Sequence, residues 1–362
     1  MKKIIAKPVG MFELFYDLVF VYAISRITAM IHHPVNGSIS VVTYFQFSLV
    51  VIVVMQIWLY QSLYFNRYSQ NRFFDISGLI FNMFVAAYLA NNINTNWRIT
   101  FHYFNLAMIA MLVDLIMQYW LGVEKNEDND NHIFILILCV ELALVLTGVL
   151  VGYNYGVNLA VFGYLVGFLM PLAFYHKFNA KKVNFPHLVE RVGLIVIIAF
   201  GEAIVNLTGY FNNKTPLIYA ALLFLSLTMM FASYVLFSER IINHHQISKG
   251  FVLMYSHVLI IVAILMMTAA TIYLNLKEIN TAFISLFLVF SMGMYYIALL
   301  INGVYSKKIC KFDLKDLVVW LIIFVVGTSS VFIWQVDTLA IILILFTWNL
   351  LYLVLLAIKS RN

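Results

Sequence analysis

Residues 250–275 read GFVLMYSHVLIIVAILMMTAATIYLN, without one Asp, Glu, Lys or Arg. A helix of roughly 20 apolar residues spans the hydrocarbon of a bilayer. The run does not alternate between apolar and polar residues, which excludes a strand of a membrane barrel. Working outward from it, the same pattern recurs along the whole chain. It predicts twelve spans, at 11–31, 41–64, 73–90, 98–121, 132–152, 157–176, 187–210, 216–238, 250–275, 281–303, 316–333 and 337–358. Turn-forming residues separate them: His33-Pro34 with Asn36-Gly37, then the stretches 91–96, 126–131, 179–186 and 212–216. Composition agrees. Of the 362 residues, 64% are hydrophobic and only 10% charged, against roughly 25% charged in soluble domains. The expected fold class is an all-α polytopic transmembrane bundle forming one membrane domain over 1–362.

The basic residues fix an orientation. With the N-terminus in the cytoplasm, 17 of the 22 Lys and Arg fall in inside segments and 3 in outside ones, with Arg26 and Arg191 inside spans. That asymmetry follows the positive-inside rule and puts both termini in the cytoplasm. The basic start resembles the leading segment of a signal peptide. The apolar stretch behind it holds Glu13, Asp17 and Arg26 and no small-residue cleavage site, so it reads as a retained first helix. Trp97, Trp120 and Trp334 fall at predicted span ends, where interfacial anchors belong.

Ionisable side chains inside a span are costly and point to function or to fixed packing. Span 1 carries Glu13, Asp17 and Arg26; span 7 carries Glu190, Arg191 and Glu202; Asp114, Glu141 and His257 lie in spans 4, 5 and 9. Asp75 and Glu190 fit helix-end carboxylates, and His257 fits a hydrogen-bonded core histidine. Glu13 and Asp17 are four residues apart and share a face, at about the depth of Arg191 on span 7. Arg26 and Glu202 each lie fifteen residues into their spans. The arrangement is crosswise, and it predicts interhelical ion pairs: Glu13 and Asp17 with Arg191, and Arg26 with Glu202.

Several stretches carry a family resemblance. They are F-E-L-F-Y-D-L-V-F-V-Y-A-I-S at 12–25, W-L-Y-Q-S-L-Y-F-N-R-Y at 58–68, E-R-V-G-L-I-V-I-I-A-F-G-E-A-I-V at 190–205 and Y-S-H at 255–257. Together they resemble the bacterial low temperature requirement A family, from the first span to the ninth. The resemblance implies a multi-pass protein of the bacterial cytoplasmic membrane associated with growth in the cold, and implies no biochemical activity. A weaker similarity links Phe15-Tyr16-Asp17, Val19-Phe20 and Ala23-Ile24-Ser25 to the first helix of the lysosomal and bacterial potassium-channel family, which is built from six-helix repeats. Met11 stands where that family has Arg, and span 7 lacks its F-S-D triplet. Six-helix halves at 1–178 and 179–362 also fit the topology.

Other motifs are set aside. Gly163 and Gly167 have the spacing of close helix packing, with Pro171 after them. His32-His33 and His244-His245 lack accompanying ligands, and Cys139 and Cys310 suggest neither a disulfide nor a zinc site. No cofactor, metal or nucleic acid is expected; the expected partners are the lipid bilayer and a small ion or proton, with a homo-oligomer left open. Three functions remain. The favoured one is a transporter or channel whose intramembrane charges line an ion or proton route. The second is an intramembrane enzyme acting on a lipid-linked substrate, with Glu13 and Asp17 as its acid/base pair. The third is a structural or regulatory membrane protein without turnover.

Overall fold

The computed structural model describes residues 6–122, 129–212, 215–276 and 278–361. Lys2, Lys3, Lys125, Lys214 and Lys277, which contribute to the orientation argument, lie outside them. Twelve α-helices follow in order: α1 (Met11–Ala29), α2 (Val41–Arg67), α3 (Phe73–Asn91), α4 (Trp97–Gly122), α5 (Asn129–Val151), α6 (Tyr153–Ala173), α7 (Phe185–Asn206), α8 (Leu217–Leu236), α9 (Phe251–Tyr273), α10 (Thr281–Ile301), α11 (Leu314–Ile333) and α12 (Thr338–Arg361). Among the described residues the only β pairings are two isolated bridges. Ten helices are long and apolar enough to cross a membrane. The other two are α1 and α7, and each carries three charged side chains.

Helix starts are satisfied locally. Glu13 turns back to accept from the Gly10 N–H at 3.2 Å. Asp75 accepts from the Arg72 N–H at 3.0 Å, and Asp313 from the Asp316 N–H at 2.9 Å. Each carboxylate serves a backbone donor that the first helical turn leaves without a partner, at the end where the helix dipole favours negative charge. α5 and α6 are joined through Gly152 alone, whose φ of +87° suits glycine.

The chain forms two units. The first comprises the chain up to Met30, Val42–Leu194 and His245–Met254. In it α1 packs on α3, α3 on α4, α4 on α5 and α5 on α6. α2 is the buried centre: every residue from Val53 to Asn66 is buried. The second unit comprises Ile31–Val41, Ile195–His244 and Tyr255–Asn362. In it α8 and α11 pack on α12, and α10 on α11. Its interior is held by neutral hydrogen bonds, such as Tyr296 Oη to Asn349 Oδ1 at 2.7 Å and Asn349 Nδ2 to Ser226 Oγ at 2.8 Å. α11 keeps Leu321, Ile322, Val325 and Val326 exposed, an outer face that suits lipid.

Arg67, beyond the expected end of span 2 at residue 64, is instead the last residue of α2, and its side chain is buried. It pairs with Asp130 at 2.8 Å and lies 5.2 Å from the centre of the Phe134 ring. A guanidinium sheathed by aromatic rings and answered by a carboxylate can stay inside, where hydropathy alone ends the helix.

Candidate functional site

One buried charge cluster of the first unit gathers on α1 and α7, with polar side chains from α2. Arg191 donates from Nη1 to Glu13 Oε2 and from Nη2 to Asp17 Oδ1, both at 2.8 Å. Nη2 also reaches Ser62 Oγ at 3.2 Å. Trp58 donates its indole N–H to the same Asp17 oxygen at 2.7 Å, and its ring lies 5.6 Å from the guanidinium carbon. Glu13, Asp17 and Arg191 are each 1% exposed, so the whole set is withdrawn from solvent. Helical spacing explains the convergence. Glu13 and Asp17 are one turn apart on α1, His187 and Arg191 one turn apart on α7, and Trp58, Ser62 and Asn66 follow every fourth residue on α2. Glu190, next to Arg191, points the other way and is exposed.

His187 completes the cluster. The Asn66 amide is fixed by the backbone of Asn184: its Oδ1 accepts from the Asn184 N–H at 3.1 Å, and its Nδ2 donates to the Asn184 carbonyl at 2.8 Å. Nδ2 therefore also donates to His187 Nδ1, 3.0 Å away. The imidazole then carries its proton on Nε2, which lies 3.2 Å from Glu13 Oε2 though off the hydrogen-bond line. In that tautomer the cluster holds two carboxylates against one guanidinium, and Asp17 Oδ2 is buried with no hydrogen-bond partner among the described residues. Lys7, just outside α1, donates to the carbonyls of Phe65 at 2.5 Å and Ser69 at 3.1 Å. Burial pulls its ammonium below the ordinary value, against the opposite pull of Glu13.

The other ionisable residues singled out in the sequence lie apart from this cluster. Asp114 on α4 accepts from Asn82 Nδ2 at 2.9 Å and Gln118 Nε2 at 2.7 Å. Glu141 on α5 accepts from Gln56 Nε2 at 2.5 Å. Both acids face protein, paired with amides. His257 lies 3.0 Å from the Tyr234 hydroxyl in the second unit. Asp75 caps α3 and also takes the Tyr64 hydroxyl at 2.6 Å. Arg26 is exposed in the last turn of α1, where a cation complements the helix dipole. Glu202 accepts from Asn206 Nδ2 at 2.9 Å, one turn on. Among the described residues neither takes an ion-pair partner within its own unit. Their pairing with each other stays an expectation, and Asn206 competes for the carboxylate.

Sequence reasoning missed His187, Trp58, Ser62 and Asn66. The last three are uncharged and draw no attention as intramembrane charges; the signal that finds them is the W-x-x-x-S-x-x-x-N spacing at 58–66. It also read Gly167 only as a packing glycine. A Cβ there would meet Glu141 Oε2 at 1.9 Å and Gln56 Nε2 at 2.4 Å, so the glycine makes room for a polar pair.

A chain of long apolar helices whose first unit sequesters an ion-pair cluster is a polytopic membrane protein. More narrowly, residues 8–358 match the family described as bacterial low temperature requirement A protein (LtrA), and the chain belongs to that family. The match reaches the last three helices, beyond the motifs that carry the resemblance in sequence. Neither a curated protein nor a solved structure matches the chain, and the potassium-channel similarity gains no support.

Proposed function

We propose that the protein is a transporter or channel of the bacterial cytoplasmic membrane, with both termini inside, and that the Glu13–Asp17–Arg191–His187 cluster is a station on its ion or proton route. The reading rests on the imbalance of the cluster: two carboxylates face one guanidinium, and Asp17 Oδ2 has no partner among the described residues. A fixed structural lock is best served by matched charges. A spare acceptor beside a bound arginine is instead suited to taking up and releasing a cation or a proton. The cold-growth association implied by the family then becomes a matter of membrane ion balance.

The test is reconstitution of the full chain in liposomes holding a pH-sensitive dye or a cation indicator, with an imposed potential. Flux in the wild type, lost in Asp17→Asn while the protein remains folded, supports the route. A wild type that passes neither protons nor monovalent cations under either gradient overturns it.

A further inference from the structure

A second polar site lies in the first unit, on helices that the charge cluster does not use apart from α2. Glu141 of α5 and Gln56 of α2 are 0% and 1% exposed. One hydrogen bond joins them, from Gln56 Nε2 to Glu141 Oε2 at 2.5 Å. The two remaining side-chain oxygens, Glu141 Oε1 and Gln56 Oε1, are both buried and both lack a hydrogen-bond partner among the described residues. Two acceptors without donors at the ends of one acid–amide pair share a single remedy. One proton on Glu141 Oε1 turns that oxygen into a donor for Gln56 Oε1, and neither group is then left wanting.

The surroundings support a neutral acid. No lysine, arginine or histidine forms an ion pair with Glu141 among the described residues. The acid of α4, Asp114, is engaged by Asn82 and Gln118. From α2, Tyr60 donates to the Gly167 carbonyl at 2.7 Å. From α6, Tyr164 is close to Glu141 and donates to Asn105 Oδ1 at 2.6 Å. The titratable neighbours are thus phenols, and none brings positive charge. A lone carboxylate at this depth would be an unpaired charge in a low-dielectric interior, the arrangement proteins relieve by neutralisation. Gly167 shows that the space is shaped for the pair, since any side chain there would displace the carboxyl.

We infer that the Glu141–Gln56 pair is a binding site for one proton, held as a cyclic acid–amide pair with Gln56 Nε2–H on Glu141 Oε2 and Glu141 Oε1–H on Gln56 Oε1. Binding joins H⁺ to the carboxylate oxygen and needs no other reactant. The site does not depend on the transport reading and stands whether or not the charge cluster passes ions.

Infrared spectroscopy of the full-length protein in lipid nanodiscs at neutral pH tests it. The expected result is a carbonyl stretch of a protonated carboxylic acid that shifts on exchange into D2O and disappears in Glu141→Gln. That variant should also fold with an unchanged or higher melting temperature, because an amide reproduces both hydrogen bonds of the neutral acid. Gln56→Leu provides an independent arm: the same band should survive and move to higher frequency as the acid loses its amide. Asp17→Asn and Asp114→Asn should leave the band in place. The assignment fails if the band is missing from the wild type at neutral pH, or if neither Glu141→Gln nor Gln56→Leu alters it.

Discussion

Arg191 has the most to lose of any single residue. Replacing it by Gln strands Glu13 and Asp17 inside the first unit, and an uncompensated buried charge costs about 3–5 kcal/mol. Asp17→Asn removes the surplus acid instead, keeps an acceptor for Trp58, and leaves Arg191 with Glu13 and Ser62. Its expected cost is no more than about 2 kcal/mol, the scale of one charge-assisted hydrogen bond. Thermal or denaturant unfolding in detergent ranks the two, and equal losses would refute the imbalance. A second residue carries a pH prediction. His32, between α1 and α2, is half-buried, and burial with the neighbouring His33 lowers its pKa from 6.5 to about 4. Between those values the unfolded chain binds more protons than the folded one, so stability falls as the pH drops through the window. His32→Gln should flatten that decline in melting temperature without changing its level near neutrality. At this scale the sequence shows most where charge is formal. The depths of Glu13, Asp17 and Arg191 put them together on paper, and the structure puts them 2.8 Å apart. His187 escaped because it stands at the edge of its predicted span, where a histidine attracts no notice.

Among the elements, α2 organises the first unit. Successive residues turn by 100°, so Gln56 and Tyr60 face one sector, Gln61 and Tyr64 a second, and Trp58, Ser62 and Asn66 a third. The first sector hydrogen-bonds to α5 and α6, the second to α3 and α4, the third to α1 and α7. Hydropathy identifies α2 as a span without revealing this role, because its many apolar residues outweigh the few amides and hydroxyls in the average. Helix existence was legible throughout, whereas helix ends such as Arg67 depended on partners distant in sequence. The glycines allow a direct test of packing. A Cβ on Gly156 would lie 1.8 Å from the Gly148 carbonyl oxygen, a backbone atom that cannot swing aside. Gly201 has nothing within 4 Å of the same position. Gly156→Ala should therefore destabilise by about 1–3 kcal/mol or more, and Gly201→Ala should stabilise α7 by up to about 1 kcal/mol. Melting temperatures of the two variants decide it, and similar shifts of the same sign would contradict the α5–α6 contact.

For the whole molecule the expectation to test is orientation. Lys307, Lys308 and Lys311 crowd the connection between α10 and α11, with Lys315 in the first turn of α11, while the turn between α3 and α4 is rich in asparagine. Lys308 and Asn94 are both exposed, so each can report by single-cysteine labelling once Cys139 and Cys310 are replaced. An impermeant reagent on intact cells should label Asn94→Cys and spare Lys308→Cys. The reverse pattern inverts the protein in its membrane. Charge counting alone supplies this expectation, with no need of side-chain packing. The polar partners of the charge cluster are not legible in the same way, because Trp58, Ser62 and Asn66 are uncharged and are brought to it by packing.

The bond between Glu13 and Arg191 spans 178 residues of chain, and that distance is also a delay. A ribosome adding about 5–20 residues per second reaches Arg191 roughly 9–36 s after Glu13. Through that interval the two acids of α1 are without the guanidinium that meets them in the folded protein. Water at the insertion machinery, or borrowed protons, must keep them until α7 arrives. Synthesis thus makes α7 the element that completes the charge cluster. A chain stopped short of residue 191 should be cleared by membrane proteases, and supplying α7 as a separate segment should rescue it.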